Sequence, residues 1–298
     1  MRTLTARLAC VCATAVLGAT TVLAAQDYVP ERVFDTARGQ FTDFETMLAE
    51  VAHADVVFLG EQHDSAPGHR LELAVLEGVA RRRDHVILGL EMFERDVQDP
   101  LDHFSMGHIA EDEFLKSARP WPRYATDYKP LVDFAAMHDW PIVASNAPQL
   151  LVTAVSKGGL EVLAAQSAAD RKLVASDLQC PTDDDYHTRF QAAMADHPIG
   201  DGQAMDRLYL AQCVRDETMA ESVARAWQVG ALAGPTLVVH VNGAFHSDFH
   251  EGTAARLIRR LPGKRVVVIS LVPVENLDTV APTPVERTRA DYLVYTLK

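Results

Sequence analysis

The sequence predicts an α/β fold: a mostly parallel β-sheet with helices on both faces and a helical cap formed by two insertions. Five short runs of apolar and β-branched residues are continuous rather than alternating, as in strands that are buried on both faces. Stretches with apolar residues three and four apart, typical of amphipathic helices, lie between these runs. Strands that alternate with helices in this way favour a parallel sheet.

The predicted elements follow one another along the chain. The five buried strands are expected at 56–60, 86–92, 142–146, 237–243 and 266–272, and the clearest helices at 70–83, 130–140 and 211–229. The C-terminal segment 291–298 alternates apolar with polar residues, and it follows a loop that contains Pro282 and Pro284. This pattern suits a strand at the edge of the sheet.

Two connections are longer than a crossover between parallel strands needs. They run over about 94–129 and 158–205. Connections of this length usually form helices of their own or line a site, so both are predicted to cap one edge of the sheet. Because no internal repeat or linker divides the chain, residues 25–298 are expected to form a single α/β domain.

The N-terminal residues 1–24 read as a signal peptide. Arg2 and Arg7 precede an apolar run over 8–23 that ends in small residues, which places cleavage after Ala24. An uncleaved membrane anchor is the alternative for this run. A lipoprotein is not expected, since Arg7 stands three residues before Cys10 where an apolar residue is needed. The protein is therefore expected to be periplasmic or secreted.

The charge of the mature chain limits its partners, and its two cysteines allow a disulfide. Without Arg2 and Arg7 it keeps 26 of 28 basic residues against 41 acidic ones, a net charge of −15. Such a surface repels phosphate backbones, so nucleic acid is not an expected partner. Only Cys180 and Cys213 remain after cleavage. In an exported chain they form either a disulfide or a pair of buried free thiols.

Residues with chemical potential cluster where the predicted strands end. Ligands of open parallel sheets bind outside the carboxyl ends of the strands, where chain segments that are distant in sequence meet. The spacing Gly-x-x-His occurs there twice, at 60–63 and 243–246. The residues expected to line this crevice are Gly60, Glu61, His63, Asp64, Glu91, Asn146, Gly243 and His246.

These side chains allow more than one chemistry. Imidazole and carboxylate bind Zn²⁺, Mn²⁺ or Fe²⁺, so His63, His246 and Glu91 are candidate ligands of a divalent metal ion. Glu61 or Glu91 is the candidate general base. The alternative is a buried polar network that holds loops together without catalysis.

The second insertion holds residues that can ligate haem iron. Tyr186, His187 and His197 are the candidates, since tyrosine and histidine side chains serve as axial ligands. The alternative is a polar surface loop that Cys180 closes.

Six segments resemble the ChaN-like haem-binding proteins, within the superfamily that includes the Tiki, TraB and erythromycin-esterase-like proteins. They lie between about 55 and 261, at 57–64, 90–98, 128–135, 142–148, 210–222 and 241–257. The resemblance implies an α/β sheet with a helical cap and an envelope protein that binds haem and serves haem or iron uptake. It also implies an outer-membrane uptake system as partner, a homodimer with paired haems, and iron held by tyrosine with histidine nearby.

The same resemblance supports a second hypothesis. The Tiki relatives are metal-dependent proteases that use the two Gly-x-x-His histidines and a glutamate. The esterase-like relatives hydrolyse a lactone with a histidine and glutamates. By motif these functions map onto His63, His246 and Glu91, with Glu61 close by. A metal-dependent hydrolase therefore stands beside the haem-binding protein as an expectation.

Overall fold

A computed structural model of the chain describes residues 29–196 and 202–298. The predicted signal peptide at 1–24 and the candidate ligand His197 lie outside these residues.

One β-sheet of eight strands organises the described chain, in the order β2-β1-β8-β7-β3-β6-β4-β5. All pairings from β8 to β5 are parallel, and β1 pairs antiparallel with both β2 and β8. This arrangement confirms the predicted fold class. The strands are β1 Glu31–Asp35, β2 Gln40–Thr42, β3 Val56–Glu61, β4 Val86–Glu94, β5 Ile142–Asn146, β6 Leu237–Gly243, β7 Val266–Val274 and β8 Tyr292–Leu297.

The helices fill the connections, and the longest of them begins earlier than its periodicity predicted. The 211–229 pattern belongs to a helix of 29 residues that starts at Gly202. The helices are α1 Phe44–Val51, α2 Ala66–Ala80, α3 Gln98–Ser105, α4 Glu111–Ala118, α5 Tyr124–Asp127, α6 Lys129–Met137, α7 Gln149–Gly158, α8 Ala168–Arg171, α9 Asp185–Met194, α10 Gly202–Gly230 and α11 Gly252–Arg260.

Successive residues of β3 explain why the central strands are apolar throughout. Val57 and Leu59 pack into the core on the face of α2, while Phe58 packs on the opposite face against α10 and α11. Side chains of a strand alternate between the two faces of a sheet. A strand covered on both faces therefore needs apolar residues at every position.

The prediction that the C-terminal strand lies at the edge is wrong. β8 lies inside the sheet, with Val294 opposite Leu271 of β7 on one side and Val33 of β1 on the other. The short hairpin of β1 and β2 covers β8. Its strands are too short to be recognised from apolar periodicity.

The two insertions form the predicted helical cap. The first contains α3, α4 and α5, and its buried Phe114 packs against Phe93 at the end of β4. The second contains α8 and α9, and a disulfide joins Cys180 to Cys213 of α10 with 5.8 Å between their Cα atoms. None of the helices in the described chain has the length and apolar character needed to span a membrane.

Candidate functional site

The two Gly-x-x-His segments meet because β3 and β6 are neighbouring parallel strands, with Glu61 opposite Gly243. Each glycine leaves room for the other segment. A Cβ atom at Gly60 would lie 3.0 Å from Cα of Ala244, and one at Gly243 would lie 2.8 Å from Nε2 of His63. Glycine at 60 thus allows the backbones to approach closely, and glycine at 243 leaves space for the His63 ring.

The first of these segments presents a half-exposed imidazole. Nδ1 of His63 lies 2.6 Å from Oε1 of the buried Glu61, and 47% of the His63 side chain is exposed. The hydroxyl of Tyr128 donates to the same carboxylate oxygen at 3.2 Å. Burial lowers the pKa of His63, but the hydrogen bond and charge of Glu61 outweigh it and raise the pKa above its ordinary value.

The anchored Nδ1 decides what the other ring nitrogen can do. With its Nδ1–H donated to Glu61, neutral His63 keeps a lone pair on Nε2, which lies beside Gly243. Nε2 makes no hydrogen bond with a residue of the described ranges. It is therefore available to a metal, a proton or a substrate.

The second segment buries its imidazole between two carboxylates. Nδ1 of His246 lies 2.7 Å from Oδ1 of Asp216, and its Nε2 lies 3.2 Å from Oε1 of Glu91. Burial lowers the pKa of His246, but Glu91 and Asp216 together raise it to about 10. Burial in turn raises the pKa of Glu91, but His246, His63 and the backbone N–H of Gly243 lower it well below its ordinary range. His246 is thus a cation at neutral pH.

The two imidazoles face one crevice. Oε2 of Glu91 accepts the N–H of Gly243 at 2.7 Å, and Nε2 of His63 lies against the same glycine. The predicted metal ligands are gathered in part: Nε2 of His246 lies 3.2 Å from Oε1 of Glu91, but within the described ranges His63, His246 and Glu91 do not place one ligand atom each within 4.8 Å of one another.

A different group has metal-ligand spacing. Within the described ranges, one set of three His, Cys, Asp or Glu side chains places its ligand atoms within 4.8 Å of one another, namely Glu61, His69 and Glu72. Burial and Glu61 raise the pKa of Glu72 to about 7 against the opposing effect of His69. The pKa of His69 is raised to about 9, since its carboxylate neighbours outweigh burial. Sequence reasoning missed His69 and Glu72, although a His and a Glu three residues apart share one helix face.

Two of the predicted haem ligands of the cap, Tyr186 and His187, are enclosed. The hydroxyl of Tyr186 donates to Oδ2 of Asp216 at 2.7 Å, and burial together with Asp216 raises the pKa of Tyr186 well above its ordinary value. His187 is 7% exposed and meets the ring of Tyr209 edge-on at 4.5 Å. Neither side chain opens into the crevice. Asp216, which joins the cap to His246, carried no sequence signal beyond its place in a motif.

The remaining predicted lining residues have separate roles. Asn146 is buried and donates to the backbone carbonyl of Glu91 at 3.0 Å, which ties β5 to β4. Asp64 is exposed and lines a cavity of about 730 Å³ together with Leu271 and Arg289.

Comparison with known proteins supplies the family. A family model described as haem-binding uptake, Tiki superfamily, ChaN, matches residues 47–257, which is more than half of the chain. The chain belongs to this ChaN family. No curated protein matches its sequence.

Solved structures align with the chain at low sequence identity, and the first of them shares its fold. ChaN of Campylobacter jejuni, described with cofacial haem binding, aligns with a TM-score of 0.64 and 17% identity over 90% of this chain and 97% of its own. A mutant of the erythromycin esterase EreC in its open conformation aligns with a TM-score of 0.47 and 13% identity over 90% and 83%. The type III effector HopBA1 aligns with a TM-score of 0.47 and 11% identity over 85% and 92%.

The crevice offers groups that suit a haem. An axial ligand needs an accessible ring nitrogen, which His63 provides. The ring of Trp121 lies 5.1 Å from that of His63 and supplies apolar surface. The half-exposed Arg123 lies at the rim, where it donates to the backbone carbonyl of His63 and pairs with Asp127 at 2.8 Å. These residues fit an anionic, flat metalloporphyrin.

Proposed function

We propose that this protein binds haem in the crevice and that Nε2 of His63 is the axial ligand of the iron. The observation that carries this proposal is the half-exposed His63 imidazole, whose Nδ1 is held 2.6 Å from a buried carboxylate. Metal-ligating histidines regularly donate their second ring N–H to such a partner. The ChaN family match and the haem-bound structure of the Campylobacter jejuni protein support the proposal.

The neighbouring side chains have defined parts in this site. Glu61 fixes the tautomer of His63 and makes its ring more basic. Trp121 offers apolar surface to the porphyrin, and Arg123 offers its charge to a propionate. Bound haem supplies an iron centre that accepts one imidazole nitrogen.

Titration with hemin tests the ligand. The purified protein is expected to shift the Soret band of micromolar hemin, and His63→Ala is expected to abolish the shift. His138→Ala is the matched control, because His138 is exposed at the end of α6 and lies outside the crevice. An unchanged spectrum of hemin with the wild-type protein would refute haem binding.

Variants of the cap separate the two candidate ligand sets. If the cap opens and tyrosine holds the iron, Tyr186→Phe abolishes the Soret shift while His63→Ala keeps it. His187→Ala and His197→Ala test the remaining cap residues in the same titration. On the present proposal, all three cap variants retain the shift.

We infer further that the chain is exported to the periplasm or secreted and serves haem or iron uptake through an outer-membrane system. The apolar run at 8–23 and its small-residue end support export. Mass spectrometry of the mature protein should find an N-terminus at Ala25. A deletion strain is expected to grow poorly when hemin is its sole iron source.

A homodimer with paired haems also belongs to the proposal. Haem that lies exposed on one chain can stack on the haem of a second copy, and ChaN of Campylobacter jejuni is described with cofacial haem binding. Light scattering after size-exclusion chromatography should show a monomer without hemin and a dimer with one equivalent of hemin. A mass that does not change with hemin would contradict pairing.

Hydrolysis is the second candidate function, and the same imidazole favours it. His63 with its anchored Nδ1 has the arrangement of a general base that can take a proton from water. The metal-dependent form of this hypothesis adds a divalent ion, which lowers the pKa of that water. Assays on small esters, lactones and peptides, with and without EDTA, distinguish the two forms. Turnover that survives in His63→Ala would contradict both forms of the hydrolase hypothesis.

A further inference from the structure

The strongest unassigned feature is the buried set Glu61, His69 and Glu72, which lies behind the crevice. Glu61 ends β3, while His69 and Glu72 share the first turns of α2. All three are almost fully enclosed, with 1%, 4% and 0% of their surfaces exposed. Their ligand atoms lie within 4.8 Å of one another, a spacing that one cation with donor distances near 2.0–2.3 Å can span.

The hydrogen bonds of this set are incomplete. Oε1 of Glu61 receives bonds from His63 and Tyr128, but the buried Oε2 has no hydrogen-bond partner in the described structure. That oxygen lies 3.8 Å from Nδ1 of His69 and so points into the set. Oε1 of Glu72 is buried without a partner as well. Unsatisfied carboxylate oxygens are costly in the interior, so each needs a reason to persist.

His69 is oriented as metal-ligating histidines are. Its Nε2 lies 3.3 Å from the backbone carbonyl of His63 and 3.4 Å from Oδ2 of Asp127. With Nε2–H donated to these acceptors, the lone pair of Nδ1 faces the carboxylates of Glu61 and Glu72. A proton can stand in for the cation, since Nδ1 of His69 lies 3.3 Å from Oε2 of Glu72, but Oε2 of Glu61 and Oε1 of Glu72 stay without a partner.

We propose that Glu61, His69 and Glu72 bind a divalent first-row metal ion such as Mn²⁺, Fe²⁺ or Zn²⁺. Two carboxylates balance the charge of a divalent cation, and one imidazole with oxygen donors suits these metals better than a soft ion. Protons are the competing occupants of the same positions, and metal binding displaces them.

The metal site is distinct from the proposed haem site, although Glu61 contacts both. One oxygen of Glu61 anchors His63, and the other faces His69. Removal of the His63 imidazole therefore leaves all three metal donors in place. This separation allows each proposal to fail without the other.

Metal binding by the haem-free protein tests the inference. After EDTA treatment and dialysis, the wild-type chain is expected to take up one equivalent of Mn²⁺ or Zn²⁺ and to gain several degrees in Tm. Glu72→Gln and His69→Gln should each weaken binding at least tenfold. Glu77→Gln on the exposed face of the same helix is the matched control and should bind as the wild type does. His63→Ala should also keep its metal.

Uptake of less than a tenth of an equivalent by the wild-type protein would overturn the inference, and so would full uptake by Glu72→Gln. X-ray absorption of the Zn²⁺-loaded wild type requires no variant and remains decisive if the substitutions prevent folding. One imidazole and oxygen donors are expected. A sulfur ligand or two imidazoles would contradict the assignment.

Discussion

His63 and His246 close the same Gly-x-x-His motif on neighbouring strands, yet only the His63 side chain reaches solvent, with 47% exposed against 8%. His63 contacts one carboxylate and leaves a nitrogen open, whereas His246 has a carboxylate at each nitrogen. The first arrangement provides a ligand or a base. In the second, both ring nitrogens are occupied by contacts with Glu91 and Asp216. A repeated motif thus predicts position in the fold, and burial decides the role.

The largest expected effect is the difference in stability between a variant of His246 and a variant of His63. His246→Gln should lower the free energy of unfolding by about 3 kcal/mol or more, because it leaves Glu91 and Asp216 buried without their cation. His63→Gln should cost about 1 kcal/mol, since half of the His63 side chain is exposed and Tyr128 still donates to the buried Glu61. Urea denaturation measures both. Equal losses would mean that the crevice is one structural network.

The disulfide should stabilise the region around His246 more than the region around His63. It closes a loop with a sequence separation of 33, and the cap helix α9 lies within that loop. The double variant Cys180→Ser, Cys213→Ser is expected to lose about 2–4 kcal/mol. Hydrogen exchange should accelerate in α9 while α2, beside His63, stays protected. Equal acceleration in both helices would show that the disulfide does not act selectively on α9.

The contribution of His246 to stability should depend on pH above neutrality. The pKa of His246 is raised from 6.5 to about 10 by Glu91 and Asp216, which outweigh burial. Its stabilising contribution is therefore complete below about pH 6.5 and is lost as the pH rises through about 10. Between pH 7 and pH 9 the wild type should lose roughly 2 kcal/mol more than His246→Gln does. If the free energies of unfolding of the two proteins changed equally with pH, His246 would not be the group that titrates.

A small change in stability is expected where Gly243 contacts His63. A Cβ at Gly243 would lie 2.8 Å from Nε2 of His63, so Gly243→Ala displaces an exposed side chain at a cost of about 1 kcal/mol. Hemin affinity should nevertheless fall on the order of tenfold, because the ligating nitrogen moves. Gly202→Ala, which meets no atom within 4 Å, is the control. Unchanged hemin affinity would show that His63 is not the ligand.

The central sheet and the location of the polar side chains at its edge could be predicted from sequence patterns. Apolar runs without alternation specify strands that are covered on both faces, and parallel strands bring their carboxyl ends to one edge. Glu61, His63, Glu91 and His246 could therefore be assigned to one crevice. The edge position of β8 was misjudged, because the hairpin that covers it leaves no periodic signal of its own.

Which imidazole pairs with which carboxylate could not be predicted, because it depends on how the elements pack. Asp216 comes from the middle of a helix 30 residues before His246, and Glu72 lies within an apolar helix face. Periodicity records which face of an element is buried, but the pairing of groups across that interior depends on strand order and on how each helix crosses the sheet. The exposure of His63, the enclosure of His246 and the set of Glu61, His69 and Glu72 arise at that level.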